Sequence, residues 1–150
     1  LGYLKTLEEE CQILKRRIEW GKDDPSEGIA PVVTQDDVVL MQQEAERVYV
    51  DDNIIKYICE IVRKTRNDKR IMIGSSPRGG LSILKLSRAY ALINGRDFVV
   101  PDDVKELSQD VLAHRIKLNI EFALEGLKPR SVIKSILSTI DVPKNFTRGE

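Results

Sequence analysis

"SSPRGGLSILKLSRAYALINGRD", residues 75–97, is the stretch whose reading decides the fold. Leu81, Leu84, Ala91 and Leu92, joined by Ile83, Leu86, Tyr90 and Ile93, predict a helix from Pro77 to Asn94. A helix apolar around that much of its circumference belongs at the centre of a bundle. Asn94 and Gly95 are its stop signal, because glycine enters the left-handed region that closes a helix without a Cβ penalty. The start is less ordinary. Ser76 can cap and Pro77 suits the first helical position. Arg78, however, puts a cation where the helix dipole favours negative charge. Gly79 and Gly80 follow, each about 1 kcal/mol worse than alanine in a helix interior. An arginine so placed calls for an anion. A carboxylate of the same bundle would serve, and so would a phosphate, which a guanidinium grips through two parallel hydrogen bonds. On the residues alone both readings stand. The glycines would let another backbone or a ligand approach closely.

Working upstream, "DDNIIKYICEIVRKTR" (51–66) reads as a helix capped by Asp51 or Asp52, with Ile54, Ile58, Ile61 and Val62 facing inward. It runs into "RKTRNDKR" (63–70), five cations against one acid. Dipole compensation and a solvated turn are the ordinary explanation; a phosphate- or partner-facing patch is the other. "TQDDVVLMQQEAERVYV" (34–50) starts a helix with Thr34 as cap and a Val38, Met41, Ala45 stripe. Residues 20–33 hold two Pro and two Gly without a period and form a loop, with Trp20 packed as an anchor at one end. Leu4, Leu7, Cys11, Leu14 and Ile18 predict an amphipathic helix from Tyr3 to Glu19, packed on a neighbouring core or paired in a coiled coil.

Downstream, Pro101 with Asp102 and Asp103 opens a fifth helix. Ile116, Leu118, Ile120 and Phe122 alternate as in a strand, although "EFALEGL" also suits a helix. Pro129 begins a last helix over 129–140, and "DVPKNFTRGE" is a tail. The fold class is therefore all-α, a helical bundle with at most one short strand pair.

Composition narrows the function. The 150 residues carry 24 Lys and Arg against 24 Asp and Glu, so a globally basic nucleic-acid binder is not indicated. Aromatic residues are 5%, which argues against stacking surfaces for single strands. Cys11 and Cys59 are expected to be buried thiols rather than a disulfide, and no signal peptide or long apolar run appears, so a cytoplasmic protein is expected. The chain opens on Leu1, as a piece excised from a longer protein would. There is no phosphate-binding GxxxxGK[ST] loop. Cys11 and Cys59 have no neighbours that would complete a zinc set, and no metal ligands are expected. His114 reads as structural, and the acid pairs at 23–24, 36–37, 51–52 and 102–103 lie at helix starts or in a loop. The chain by itself is not expected to be an enzyme.

The longer segment from Ile73 to Ile116 resembles the C-terminal lid of MoxR-type AAA+ ATPases, relatives of the magnesium-chelatase ATPase subunit. Four blocks carry the resemblance: Ser76-Pro77-Arg78, Gly95-Arg96-Asp97-Phe98-Val99, Pro101-Asp102-Asp103-Val104 and His114-Arg115. Residues 29–54 are similar to the family's lid entry, "LGYLKTLEEECQILKRR" to the end of its ATPase core, and "LEGLKPRSVIKSIL" with "DVPKN" to its close. Val100 stands where the family has a capping Thr, so the fifth helix is expected to fray more. The resemblance implies that residues 1–20 end the ATPase core, 21–33 are a linker, 34–116 are the helical lid, and 117–150 are a C-terminal segment with the final helix. It makes Arg78 the sensor-2 arginine, the catalytic residue of this chain, with Ser76, Pro77, Arg78 and Gly79 beside the nucleotide. ATP and magnesium are implied for the full-length protein and none for this chain alone, since the phosphate loop, magnesium-binding acids and arginine finger belong to the core. The implied partners are that core, a homo-oligomeric ring of hexameric size and von Willebrand factor A domain proteins, in chaperone-like work without nucleic acid or a membrane span. Two other readings stay open: a helical nucleic-acid-binding module using Arg63, Lys64, Arg66, Lys69 and Arg70, and a helical adaptor in which Arg78 is structural.

Overall fold

The computed structural model describes residues 4–21 and 28–146, arranged in two compact units, residues 1–38 and 39–150. In the first unit Thr6 caps helix α1 (Leu7–Glu19). The Glu9 N–H donates to Thr6 Oγ1 at 3.2 Å while the Glu9 carboxylate accepts from the N–H of Thr6, satisfying two donors that the helix leaves open. Its apolar residues Leu7, Leu14 and Ile18 are exposed, as is Trp20, which does not act as the packed anchor expected of it. Tyr3, the Asp23–Asp24 pair and residues 147–150 of the tail lie outside the described residues. Helix α2 (Gln35–Arg47) crosses the boundary between the units and starts on Thr34, whose hydroxyl accepts the Asp37 N–H at 3.2 Å.

The second unit holds the core. Helix α3 (Asp52–Asn67) is capped by Asp51, which accepts the Asn53 N–H at 2.8 Å, and buries Ile54, Tyr57, Ile58, Ile61, Val62 and Thr65 along one face. Strand β1 (Ile71–Ile73) leads to α4 (Pro77–Ile93), then α5 (Pro101–Ala113), β2 (Lys117–Leu118), α6 (Ile120–Leu124) and α7 (Pro129–Leu137). Helices α3, α4, α5 and α7 pack on one another around Ile61, Ile83, Val104, Leu112 and Ile133, all fully buried. β1 and β2 run antiparallel, with Ile71 opposite Leu118 and Ile73 opposite Lys117, and the register slips between them. The alternation of 116–122 thus divides: its first half is the strand, its second a short helix.

Two expectations are corrected here. Helix α4 is not covered around most of its circumference. Helix α4 buries only Gly79, Ile83, Ser87 and Ala91, a narrow stripe of mostly small residues at fourfold spacing, while Leu81, Leu86 and Ile93 are exposed, the last at 83%. Small residues let α5 approach closely on one side only. Cys11 and Cys59 are both exposed: Cys59 falls just off the buried face of α3, and α1 buries none of its residues. Val100 offers no side-chain acceptor to the first turn of α5, while its own N–H donates to Asp103 Oδ2 at 2.9 Å, the return half of a capping box.

The α4–α5 corner is closed twice. Gly95, at φ +70°, lets its own N–H reach the Leu92 carbonyl and the Arg96 N–H reach that of Ala91, both at 2.9 Å, the paired bonds that end a helix on a left-handed residue. Arg96 then grips Asp103 with both guanidinium nitrogens, at 2.8 and 2.6 Å, and also donates to the Phe98 carbonyl. Asp103 is 3% exposed. This pair holds the Arg96 guanidinium even more firmly protonated than usual, through its hydrogen bonds to the carboxylate. On the other side, Tyr49 donates to the Asp97 carbonyl and accepts from the Val99 N–H, stitching the segment before α3 to the same corner.

Candidate functional site

The turn that carries Arg78 is fixed from beneath by the end of α3. Thr65 is fully buried in the last turn of that helix. Its Oγ1 donates to the Val62 carbonyl at 2.7 Å and accepts the Ser75 N–H at 2.9 Å, while Arg66 Nε donates to the Ser75 carbonyl at 2.7 Å. Both backbone groups of Ser75 are thereby tied to α3. Buried amides and carbonyls must be paired, so this short loop has its orientation imposed by one hydroxyl and one guanidinium. Gly74 makes the approach possible: a Cβ there would lie 2.7 Å from the Arg66 Cα and the Thr65 carbonyl oxygen.

Above this pinned loop, Ser76 occupies the capping position with extended backbone, but its side chain makes no capping bond; the Gly79 N–H donates instead to the Ser76 carbonyl at 2.9 Å. Pro77 follows as the first helical residue. The two glycines have different causes. A Cβ on Gly79 would fall 2.1 Å from Ser75 Oγ and 3.0 Å from Leu112 Cδ2, so Gly79 is buried in an internal contact between the α4 start, the loop and α5. Gly80 faces α3, where a Cβ would meet Val62 and Ile58 at 3.6 and 3.7 Å, ordinary contact distances. The close approach foreseen for a ligand or another subunit is, at Gly79, an approach within the bundle.

Arg78 is exposed and has no ion pair among the described residues. Other arginines of this unit do: Arg70 with Asp68, Arg88 with Glu46, Arg96 with Asp103 and Arg130 with Asp110. The internal carboxylate that would have given Arg78 a structural role is therefore not found among these residues. The geometry presents a permanent cation on a rigid helical turn.

The basic segment 63–70 is less open than its composition implied. Arg66 serves Ser75, and Arg70 is bidentate on Asp68, with Nε and Nη2 donating at 2.9 and 2.6 Å. The Arg70 guanidinium holds the Asp68 carboxyl below the usual carboxylate range. Two of the five cations are thus spent on the fold, which weakens the nucleic-acid reading. His114 donates from Nδ1 to the Asp110 carbonyl at 3.0 Å, one turn back. Among the described residues no group of three or more His, Cys, Asp or Glu could hold a metal, and no helix is long and apolar enough to cross a membrane.

Sequence reasoning named Ser76, Pro77, Arg78 and Gly79, which stand together on one turn, but missed Gly74, Ser75, Thr65 and Arg66, which hold that turn in place. One signal was available. Thr65 is in phase with Ile54, Ile58 and Ile61, so it lies on the buried face, and a buried threonine needs a partner.

Comparison with known proteins agrees with this arrangement. The model of the AAA lid domain matches residues 63–136. The uncharacterized protein YeaC of Bacillus subtilis is 37% identical over 143 residues, 95% of this chain and 43% of YeaC. Chaperone MoxR1 of Mycobacterium tuberculosis is 32% identical over 122 residues, 75% of this chain and 32% of its own length. A crystal structure from Cytophaga hutchinsonii, of a protein provisionally assigned as an ATPase, superposes with a TM-score of 0.75 at 31% identity, covering 96% of this chain and 45% of that one. The chain thus spans less than half the length of the relatives it matches. With the lid helices and the Ser76–Arg78 turn in place, the chain belongs to the MoxR family of AAA+ ATPases, as the C-terminal part that carries the AAA lid domain.

Proposed function

We propose that Arg78 is the sensor-2 arginine of this lid, reaching the terminal phosphates of an ATP held by the ATPase core of the full-length protein. The observation that carries the reading is an exposed guanidinium without a carboxylate partner among the described residues, mounted on a turn that Thr65, Arg66 and Gly74 fix to α3. Ser76, Pro77 and Gly79 shape that turn beside the nucleotide. During phosphoryl transfer charge spreads over the equatorial phosphate oxygens, and a preorganised cation stabilises it without having to reorganise. The same contact makes the lid sensitive to the γ-phosphate. When hydrolysis removes that group one anchor is lost, and the lid can turn as a rigid body.

In this reading residues 1–20 close the core, 21–33 link it to the lid, and 34–116 with the segment 117–150 form the moving body. Magnesium, the phosphate loop and the remaining catalytic groups come from the core, in a cytoplasmic ring of subunits, hexameric in size. The likeness to a chaperone, MoxR1, supports remodelling of other proteins as the task, and the resemblance of the Ser76–Arg78 and Gly95–Val99 blocks implies von Willebrand factor A domain proteins as partners. The test is Arg78→Ala in the full-length protein. ATP turnover should fall by about 10²-fold or more, the range seen when a preorganised charge-stabilising donor is lost, with an unchanged melting temperature. Unchanged turnover, or a loss that follows from unfolding, would refute it.

A further inference from the structure

Arg78 is not the only arginine at its end of α4 without a carboxylate. Arg115 follows the last turn of α5, is exposed, and has no ion pair among the described residues. Its Nη2 donates to Ser82 Oγ at 3.3 Å, and that hydroxyl donates in turn to the Arg78 carbonyl at 2.9 Å. The single proton of Ser82 is committed to Arg78, so a lone pair is left facing Arg115. The Arg115 guanidinium is thereby set against the second turn of α4, on the helix face that carries Arg78 four positions before Ser82.

Local acids do not explain the pair. Asp110 lines the same shallow groove as Ser82 and Arg115, together with Lys85, yet its carboxylate is taken by Arg130 from α7. Asp110 bonds Arg130 through one carboxylate oxygen and makes no ion pair with Arg115. An arginine without an ion pair on each of two consecutive turns of one helix face, with the nearby acid bonded to a third arginine, suits an external anion that both long side chains can reach.

We infer that Arg115 is a second anion-contacting residue, acting with Arg78 on the terminal phosphate of the same nucleotide. This rests on the sensor-2 reading of Arg78 and extends it, because it gives the end of α5 a direct share in sensing the γ-phosphate. A fork of donors on each residue would hold the three oxygens of a terminal phosphate, and loss of that group would release α4 and α5 together.

The test uses full-length protein with magnesium and measures binding of the non-hydrolysable analogue AMP-PNP and of ADP by calorimetry, in Arg115→Gln, Arg115→Lys and Arg78→Gln. The expected result is a preference for AMP-PNP over ADP that falls about tenfold in Arg115→Gln, recovers partly in Arg115→Lys, and falls also in Arg78→Gln. If Arg78→Gln loses the preference but Arg115→Gln keeps it, the inference about Arg115 is overturned and the Arg78 reading stands. If Arg115→Gln weakens both nucleotides equally and changes the oligomer mass, Arg115 is a subunit contact and the inference is again overturned. If Arg78→Gln keeps the preference, both fall.

Discussion

Gly79 and Gly80 are adjacent, in the same turn, and chemically identical, so replacing each with alanine separates packing from backbone propensity. The gain in helix propensity, up to about 1 kcal/mol, is shared by both substitutions and cancels in their difference. What remains is the fate of the new methyl group. At position 80 it would sit 3.6 Å from Val62 and 3.7 Å from Ile58, filling the floor of the apolar groove between α3 and α4 that Cys59, Leu81 and Leu84 also line. At position 79 it would lie 2.1 Å from Ser75 Oγ and 3.0 Å from Leu112 Cδ2. Ser75 is 1% exposed with both backbone groups tied to α3, so only its hydroxyl can turn aside, giving up the bond to the Ser76 carbonyl. Overpacking of this kind costs about 1–3 kcal/mol. Gly80→Ala should therefore be neutral or stabilising by up to about 1 kcal/mol, and Gly79→Ala should be less stable than Gly80→Ala by about 1–3 kcal/mol. For a chain of this size each kcal/mol moves the melting temperature by roughly 2–4 °C. Urea unfolding of the two variants and the parent, followed by circular dichroism, measures the difference. Equal midpoints for the two variants would refute the internal-contact explanation of Gly79.

Other perturbations address the remaining supports. Arg96→Ala should cost about 3–5 kcal/mol, because it strands the buried Asp103 carboxylate without its partner; a loss below about 1 kcal/mol in chemical denaturation would contradict the role given to this pair. Thr65→Val, close to isosteric, leaves the Ser75 N–H without its acceptor and should cost about 1–3 kcal/mol, with faster amide exchange at Ser75 as the local signature; unchanged exchange there would remove the pin from the account. Asp68 has a folded pKa below its unfolded value, so its contribution is present above the unfolded carboxylate range and disappears as pH falls through the folded pKa. Stability measured from pH 7 downward should therefore decline on the acid side by less in Asp68→Asn than in the parent, and identical acid limbs would rule the Asp68–Arg70 pair out as a contributor.

Much of the fold was legible because it depends on period and on chain punctuation. Ile54, Ile58, Ile61 and Val62 mark the buried face of α3, and Gly95 and Pro101 mark an end and a start that the backbone obeys. Counting apolar residues does not say how many sides of α4 are covered; its small residues, Gly79, Ser87 and Ala91, define the covered side. Arg78 stood out by violating the dipole rule, which is a local property. Its support did not stand out, since Thr65, Arg66 and Ser75 meet only after α3 and α4 fold together across the turn containing β1. Arg115 was noticed only as part of a resemblance. Its approach to Ser82 crosses 33 positions of sequence, beyond any reading of spacing.

The most direct measurement is a structure of the full-length protein with magnesium and AMP-PNP bound. The account predicts the Arg78 guanidinium at about 2.7–2.9 Å from γ-phosphate oxygens, the length of a charge-assisted bond. An Arg78 side chain turned instead onto an aspartate or glutamate, with the nucleotide out of its reach, would contradict it.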